Sequence, residues 1–257
     1  MTWPSGYDIT RGLAQGCSVN HKFGRNLSVG GTFAPVAIGG IYRTPQVSGA
    51  TALRIKSGGN ANDTAAGTGA RAVTLQGLDA NGDEITETIA TAGASASAAT
   101  TKQFLRLYRA YVSASGTYAT ATAASHAAAI VIENAAGGTD WATIADTTIA
   151  RGQSQIAVYS VPRYREIMIA SLSISSDADR KANLILFQRR NILETAAPYE
   201  ALRLVEEYPQ VAGLHQIQFD PPLGPFPELT DIGFMARSTS TTIDMSVSFE
   251  IVEFRPQ

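Results

Sequence analysis

Ile243-Asp244-Met245-Ser246-Val247-Ser248-Phe249-Glu250-Ile251 is the stretch on which the fold turns. Its alternate members are apolar, and those between them are Asp, Ser or Glu, the period-two pattern of a strand with one buried and one wet face. Burying the five apolar side chains is worth about 1.5–3 kcal/mol each before chain entropy is set against it. The pattern predicts an anchoring C-terminal strand and, with it, an all-β protein.

Working back from that strand, Leu184 to Phe187 is continuously apolar, as a central strand would be, and Ile156 to Val161 reads as a strand halted by Pro162. In the run from Met168 to Ile174, alternation predicts Met168, Ala170, Leu172 and Ile174 on one face, with Ser171 and Ser173 on the other. Phe219 to Pro227 holds Pro221, Pro222, Pro225 and Pro227, which bars a helix or a central strand and predicts an extended surface segment. Pro198 to Tyr208 mixes Leu202, Leu204 and Val205 with Glu200, Glu206 and Glu207, and is expected to form a helix of two to three turns.

The N-terminal half carries shorter runs separated by Gly, Asn and Asp clusters: Ala52 to Lys56, Ala70 to Leu78, Glu84 to Thr91, Phe104 to Ser113 and Ala127 to Glu133. That spacing is typical of an antiparallel sandwich or barrel. Asn81-Gly82 is expected to turn Leu78 into Glu84 through a type I′ hairpin. Ala92 to Thr101 and Ala119 to Ala129, built of small residues, read as loops, the second with room for a short helix over Ser125 to Ile130. Residues 1–40 are glycine-rich with little to bury and predict an extended N-terminal arm. The expected organisation is therefore an arm (1–40) followed by two antiparallel β-sandwich or jelly-roll-like domains, 41–137 and 138–257, divided at Gly137-Gly138.

The chain has 257 residues, 44% apolar and only 16% charged, with a formal net charge of −2. So weak a field gathers neither phosphate backbones nor anionic lipid, so neither nucleic acid nor a membrane is expected as partner. Cys17 stands alone, which excludes an intrachain disulfide. The N-terminus lacks the pattern of a secretory signal and no 18-residue apolar run occurs, so synthesis and assembly in a cytoplasm are expected.

Residues able to carry chemistry are scarce. His21, His126 and His215 lie too far apart in sequence for a local metal motif, and Cys17 lies in the expected arm, where nothing would hold a base against it. Asp79, Asn81 and Asp83 imitate the start of an EF-hand loop, but the sixth position is Glu84 rather than Gly and the twelfth is Ala90 rather than Glu, so a hairpin accounts for them. The Gly58 to Gly69 loop lacks the Gly-Lys-Ser/Thr of a phosphate cradle. Asp177 with Asp179 and Glu206 with Glu207 are sequence neighbours rather than a cleft pair. Tyr108, Tyr111, Tyr118, Tyr159 and Tyr164 are available to a glycan surface, though interior or interface roles explain them better. No catalytic, cofactor-binding or metal-binding residue is assigned, no cofactor is expected, and the chain reads as a non-enzyme.

The run from Asn60 to Asp79, continued by Glu84-Ile85-Thr86-Glu87-Thr88, resembles a segment of virion structural proteins of tailed bacteriophages, particularly podovirus-like ones. The likeness extends to His21 to Asn26, Gly39 to Tyr42, Ile156 to Pro162, Phe226 to Ile232 and Ala236 to Ser238, and is weakest over Asn191 to Leu214. The resemblance implies a structural virion component without catalytic residues. Its partners would be other virion proteins, such as the major capsid protein or head-tail components, and copies of itself, with a trimer the leading homo-oligomer. Capsid decoration is the expected role. A neck or tail accessory, or a glycan-binding adhesin on the particle surface, is the alternative.

Overall fold

The computed structural model describes residues 8–9, 11, 13–43, 47–116, 125–146, 152–177, 179–239 and 241–255. Among these the regular elements are fifteen strands and one short 3-10 turn at Ile38–Gly40, and no helix is long and apolar enough to cross a membrane. The all-β expectation holds. Contacts divide the chain into one unit of residues 1–36, 157–192 and 200–257, and another of residues 37–156 and 193–199.

The first unit contains β1 (Cys17–Val29), β2 (Ala34–Pro35), β9 (Val158–Ser160), β10 (Glu166–Ser176), β11 (Ala182–Arg189), β12 (Arg203–Val211), β13 (Leu214–Phe226), β14 (Asp231–Ser238) and β15 (Ile243–Phe254). One sheet is ordered β1-β15-β10-β13 and the other β12-β11-β14-β2, with β9 also on β14. The antiparallel pairs nest in sequence: β1 with β15, β2 with β14, β10 with β13, β11 with β12. A long antiparallel strip rolled so that its successive pairs alternate between two sheets is a jelly roll.

The apolar half of the decisive stretch lies inside this roll, with Ile243, Met245, Val247, Phe249 and Ile251 all 0–1% exposed. Phe249 meets Phe234 of the facing sheet, ring centroids 5.2 Å apart and tilted by 60°. In β10 the expected alternation is broken: Ile167, Ile169, Leu172 and Ile174 are the buried members, and Met168 and Ala170 are not. A register shift between Ile169 and Ser171 against both neighbouring strands explains the difference, because one extra residue inverts the facing of everything before it.

Two further expectations change. Residues 203–211 form β12 instead of a helix, since pairing Leu184 with Tyr208 and Phe187 with Leu204 completes the sheet edge. The stretch read as an arm is extended, but β15 ties it down along Cys17 to Val29. The proline-rich segment is an edge strand, β13, bonded only to β10, where missing N–H groups cost no ladder bond.

In sequence, most of the second unit is inserted between β2 and β9 of the roll. Pro35 and Ala34 pair with Met235 and Ala236, and the returning strand β9 pairs with Asp231, Ile232 and Gly233 on the same side of β14. Ala157 N–H donates to the Val36 carbonyl at 2.9 Å, so the outgoing and returning chains are stitched where they part. They pass so close beneath β1 that a Cβ on Gly24 would lie 2.1 Å from Ala157 N and 2.2 Å from the Val36 oxygen. Only glycine fits there.

The inserted unit holds β3 (Leu53–Ile55), β4 (Ala70–Leu78), β5 (Glu84–Ala90), β6 (Arg106–Ser115), β7 (Ile130–Asn134) and β8 (Asp140–Ile144), in sheets ordered β3-β7-β8 and β5-β4-β6. Gly137-Gly138 turns β7 into β8, with Asn134 N–H bonded to Thr139 O at 3.0 Å, so the domain boundary expected at 137 is the inside of a hairpin. The β4–β5 turn joins Leu78 to Glu84 as expected but by a different geometry. Asp79 N–H bonds Asp83 O, Gly82 N–H bonds Asp79 O, and Gly82 takes the positive φ of 82°, which is a three-residue loop with a glycine bulge rather than type I′. No helix forms over 125–130, and residues 119–124 lie outside the described residues.

The Ala92 to Thr101 stretch is a loop, yet an ordered one. Ser97 Oγ accepts from Ile55 N–H at 2.8 Å and Thr100 Oγ1 from Leu53 N–H at 2.9 Å, while both loop residues return backbone N–H bonds to the same strand. Hydroxyls thus stand in for a ladder strand along β3.

Candidate functional site

The polar half of β15 is where the roll presents chemistry. On the outer face of its first sheet, strand register aligns His21, Glu250, Ser171 and Gln218 in one row, and Phe23, Ser248, Ser173 and Gln216 in the next. Adjacent strands lie about 4.8 Å apart and alternate residues about 7 Å apart, so the rows form a small lattice of hydroxyl, amide, imidazole and carboxylate groups. The middle strands carry Ser171, Ser173, Ser248 and Glu250, and His21, Gln216 and Gln218 flank them around a groove of about 440 Å³.

Within it, His21 Nε2 lies 2.6 Å from Ser248 Oγ, Ser171 Oγ donates to Glu250 Oε2 at 3.1 Å, and Gln218 Nε2 donates to the Ala170 carbonyl at 3.1 Å. The Phe23 ring lies 6.0 Å from that of His21. Next along the sheet the Arg25 guanidinium pairs with Asp244, which raises the Arg25 pKa and neutralises both charges.

The other residues considered from sequence are mostly structural. Buried His126 is held between Ser125 Oγ at 2.8 Å and the Ala145 carbonyl at 2.9 Å, and His215 bonds the Ala212 carbonyl. Cys17 opens β1, half-buried opposite Phe254. Asp79 Oδ1 accepts from Asn81 N–H and Asp83 N–H, as a turn cap does. The Gly58 to Gly69 loop folds around buried Asp63, whose carboxylate accepts from the N–H groups of Ala70 (2.8 Å), Ala127 (2.9 Å) and Ala128 (3.0 Å). Asp177 accepts from Asp244 N–H and pairs with Arg180, and Asp179 is exposed. Glu206 and Glu207 lie exposed on β12.

The tyrosines do not form one surface. Tyr159 is buried and donates to Glu253 at 2.9 Å, whereas Tyr164 is 71% exposed. Tyr108 donates to Glu84 and Tyr111 stacks with Arg109, both on β6, and Tyr118 lies outside the described residues. The groove residues Gln216 and Gln218 carried no sequence signal, because their neighbours on the face, Ser248 and His21, come from the two ends of the chain.

No protein-family model matches the chain, and no curated protein does. Among solved structures, one of infectious bursal disease virus, Gx strain, is similar at 10% identity over 94% of this chain and 76% of that one, with a TM-score of 0.19. The VP2 subviral particle of infectious bursal disease virus is similar at 10% identity over 95% and 77%, with a TM-score of 0.18. Neither score reaches that of a shared fold.

Proposed function

We propose that this chain is a non-enzymatic structural protein of a tailed-bacteriophage virion, acting as a capsid decoration subunit that stabilises the particle through contacts with neighbouring subunits. The observation that carries the reading is the resemblance of both units to tailed-phage virion proteins, and the interrupted jelly roll is compatible with it. A sandwich whose apolar side chains are buried between its sheets meets other molecules through its faces, edges and loops, and here the chain leaves and re-enters the roll between paired strands. Jelly rolls also serve lectins and cupins, so the fold alone does not select a virion. The phage resemblance, spread over both units, is what favours a virion over those roles. A chain with few charges and a net charge of only −2 sets up little electrostatic repulsion between neighbouring subunits, which suits association.

Immunogold microscopy of purified particles with antibody against the chain tests the reading. Label over the head surface is the expected result. Label confined to the neck or tail would transfer the protein to the accessory class, and particles without label would overturn the virion role.

A further inference from the structure

We propose that the groove across the outer face of β1, β15, β10 and β13 binds a neutral glycan. Its size, about 440 Å³, falls within the roughly 300–1,000 Å³ of small-ligand sites. The lining selects the ligand's chemistry. Gln216 and Gln218 each carry a carbonyl and an amide, so each can accept from one sugar hydroxyl and donate to its neighbour. Ser173 and Ser248 add hydroxyls that both donate and accept, and Glu250 accepts from hydroxyls with the added strength of its charge.

Other ligand classes fit less well. An apolar ligand would desolvate this polar lining without replacing its hydrogen bonds. An anionic ligand would face Glu250, with the nearby Arg25 already committed to Asp244. A polyhydroxylated, uncharged ligand satisfies the rows without either cost. The groove also has rigid support, since its side chains stand on paired strands whose opposite face is the packed core. Binding here does not depend on the virion reading, and its failure would leave that reading untouched.

The test uses the full chain, isotope-labelled for NMR, titrated with maltotetraose, mannotetraose and chitotetraose, and with an oligogalacturonate as the charged comparison. At least one neutral probe should move the side-chain amide signals of Gln216 and Gln218 saturably, with a dissociation constant on the order of 1 mM or below. The double variant Gln216→Ala/Gln218→Ala, both exposed positions, should keep the remaining spectrum and weaken binding at least tenfold, about 1.4 kcal/mol. No saturable shift from any neutral probe, equal binding by the double variant, or preference for the oligogalacturonate would each overturn the proposal.

Discussion

The jelly roll and the inserted unit hold their strands by different means. In the roll, alternating strands bury one apolar face, and Phe234 against Phe249 shows the two sheets meeting through side-chain packing. In the insert, polar side chains take the place of ladder partners: buried Asp63 gathers three backbone N–H groups, buried Ser97 and Thr100 serve β3, and the half-exposed Glu87 accepts from Thr101 N–H and Lys102 N–H at 2.7 and 2.8 Å. A stretch of Ala, Ser, Thr and Gly can therefore be firmly built, provided that its hydroxyls and a few carboxylates meet orphan backbone donors.

The difference can be broken by substitution. Phe249→Ala should cost the largest amount, about 3–5 kcal/mol, through lost transfer energy and a cavity between the sheets. Chemical denaturation gives the value, and hydrogen exchange should quicken in β10, β14 and β15. A cost under about 1 kcal/mol would mean that packing between the sheets does not hold the roll.

Asp63→Ala should follow, at about 2–4 kcal/mol, because three backbone N–H groups, that of Ala70 buried and those of Ala127 and Ala128 partly so, lose a charged acceptor together. Faster amide exchange at Ala70, Ala127 and Ala128 is the signature to measure. Asp63→Asn, which keeps one acceptor oxygen, should recover part of the loss. If Ala and Asn behave alike, the carboxylate is not what organises the Gly58 to Gly69 loop.

The smallest effect sharpens the contrast at the edge of the roll. The Tyr208 hydroxyl on β12 is buried with no hydrogen-bond partner among the described residues, and burial, aided by Glu206, raises its pKa from 10 to about 12. Because the folded state keeps the proton that the unfolded state releases near pH 10, stability contributed by neutral Tyr208 is present below pH 10 and declines as pH rises towards 12. Tyr208→Phe should leave stability at neutral pH equal or up to about 1 kcal/mol higher, and should flatten the alkaline decline. An unchanged alkaline profile would place that titration elsewhere.

Legibility in the sequence followed burial. A strand with one wet face, such as Ile243 to Ile251, reads directly because alternation records which side meets water. β12 did not, since an edge strand exposed on most residues carries little alternation, and its Leu and Glu mixture imitates a helix. β1 was hidden for a related reason: Gly24 faces inward where the backbones of Val36 and Ala157 pass, so a core position carries no apolar side chain. The β10 bulge cannot be seen in a pattern that assumes an unbroken period of two.

By itself the sequence determined the all-β class, the positions of the strongly alternating strands, and a surface with few charges. Each is a local property, written in neighbouring residues by their need for water or for burial. Only the tertiary structure decided which strands pair, where the insert leaves the roll, and that His21, Ser171, Gln218 and Glu250 share one face. The physical reason is that pairing across more than 200 residues, as in His21 with Glu250, depends on matching registers and facing cores. No local pattern records that match.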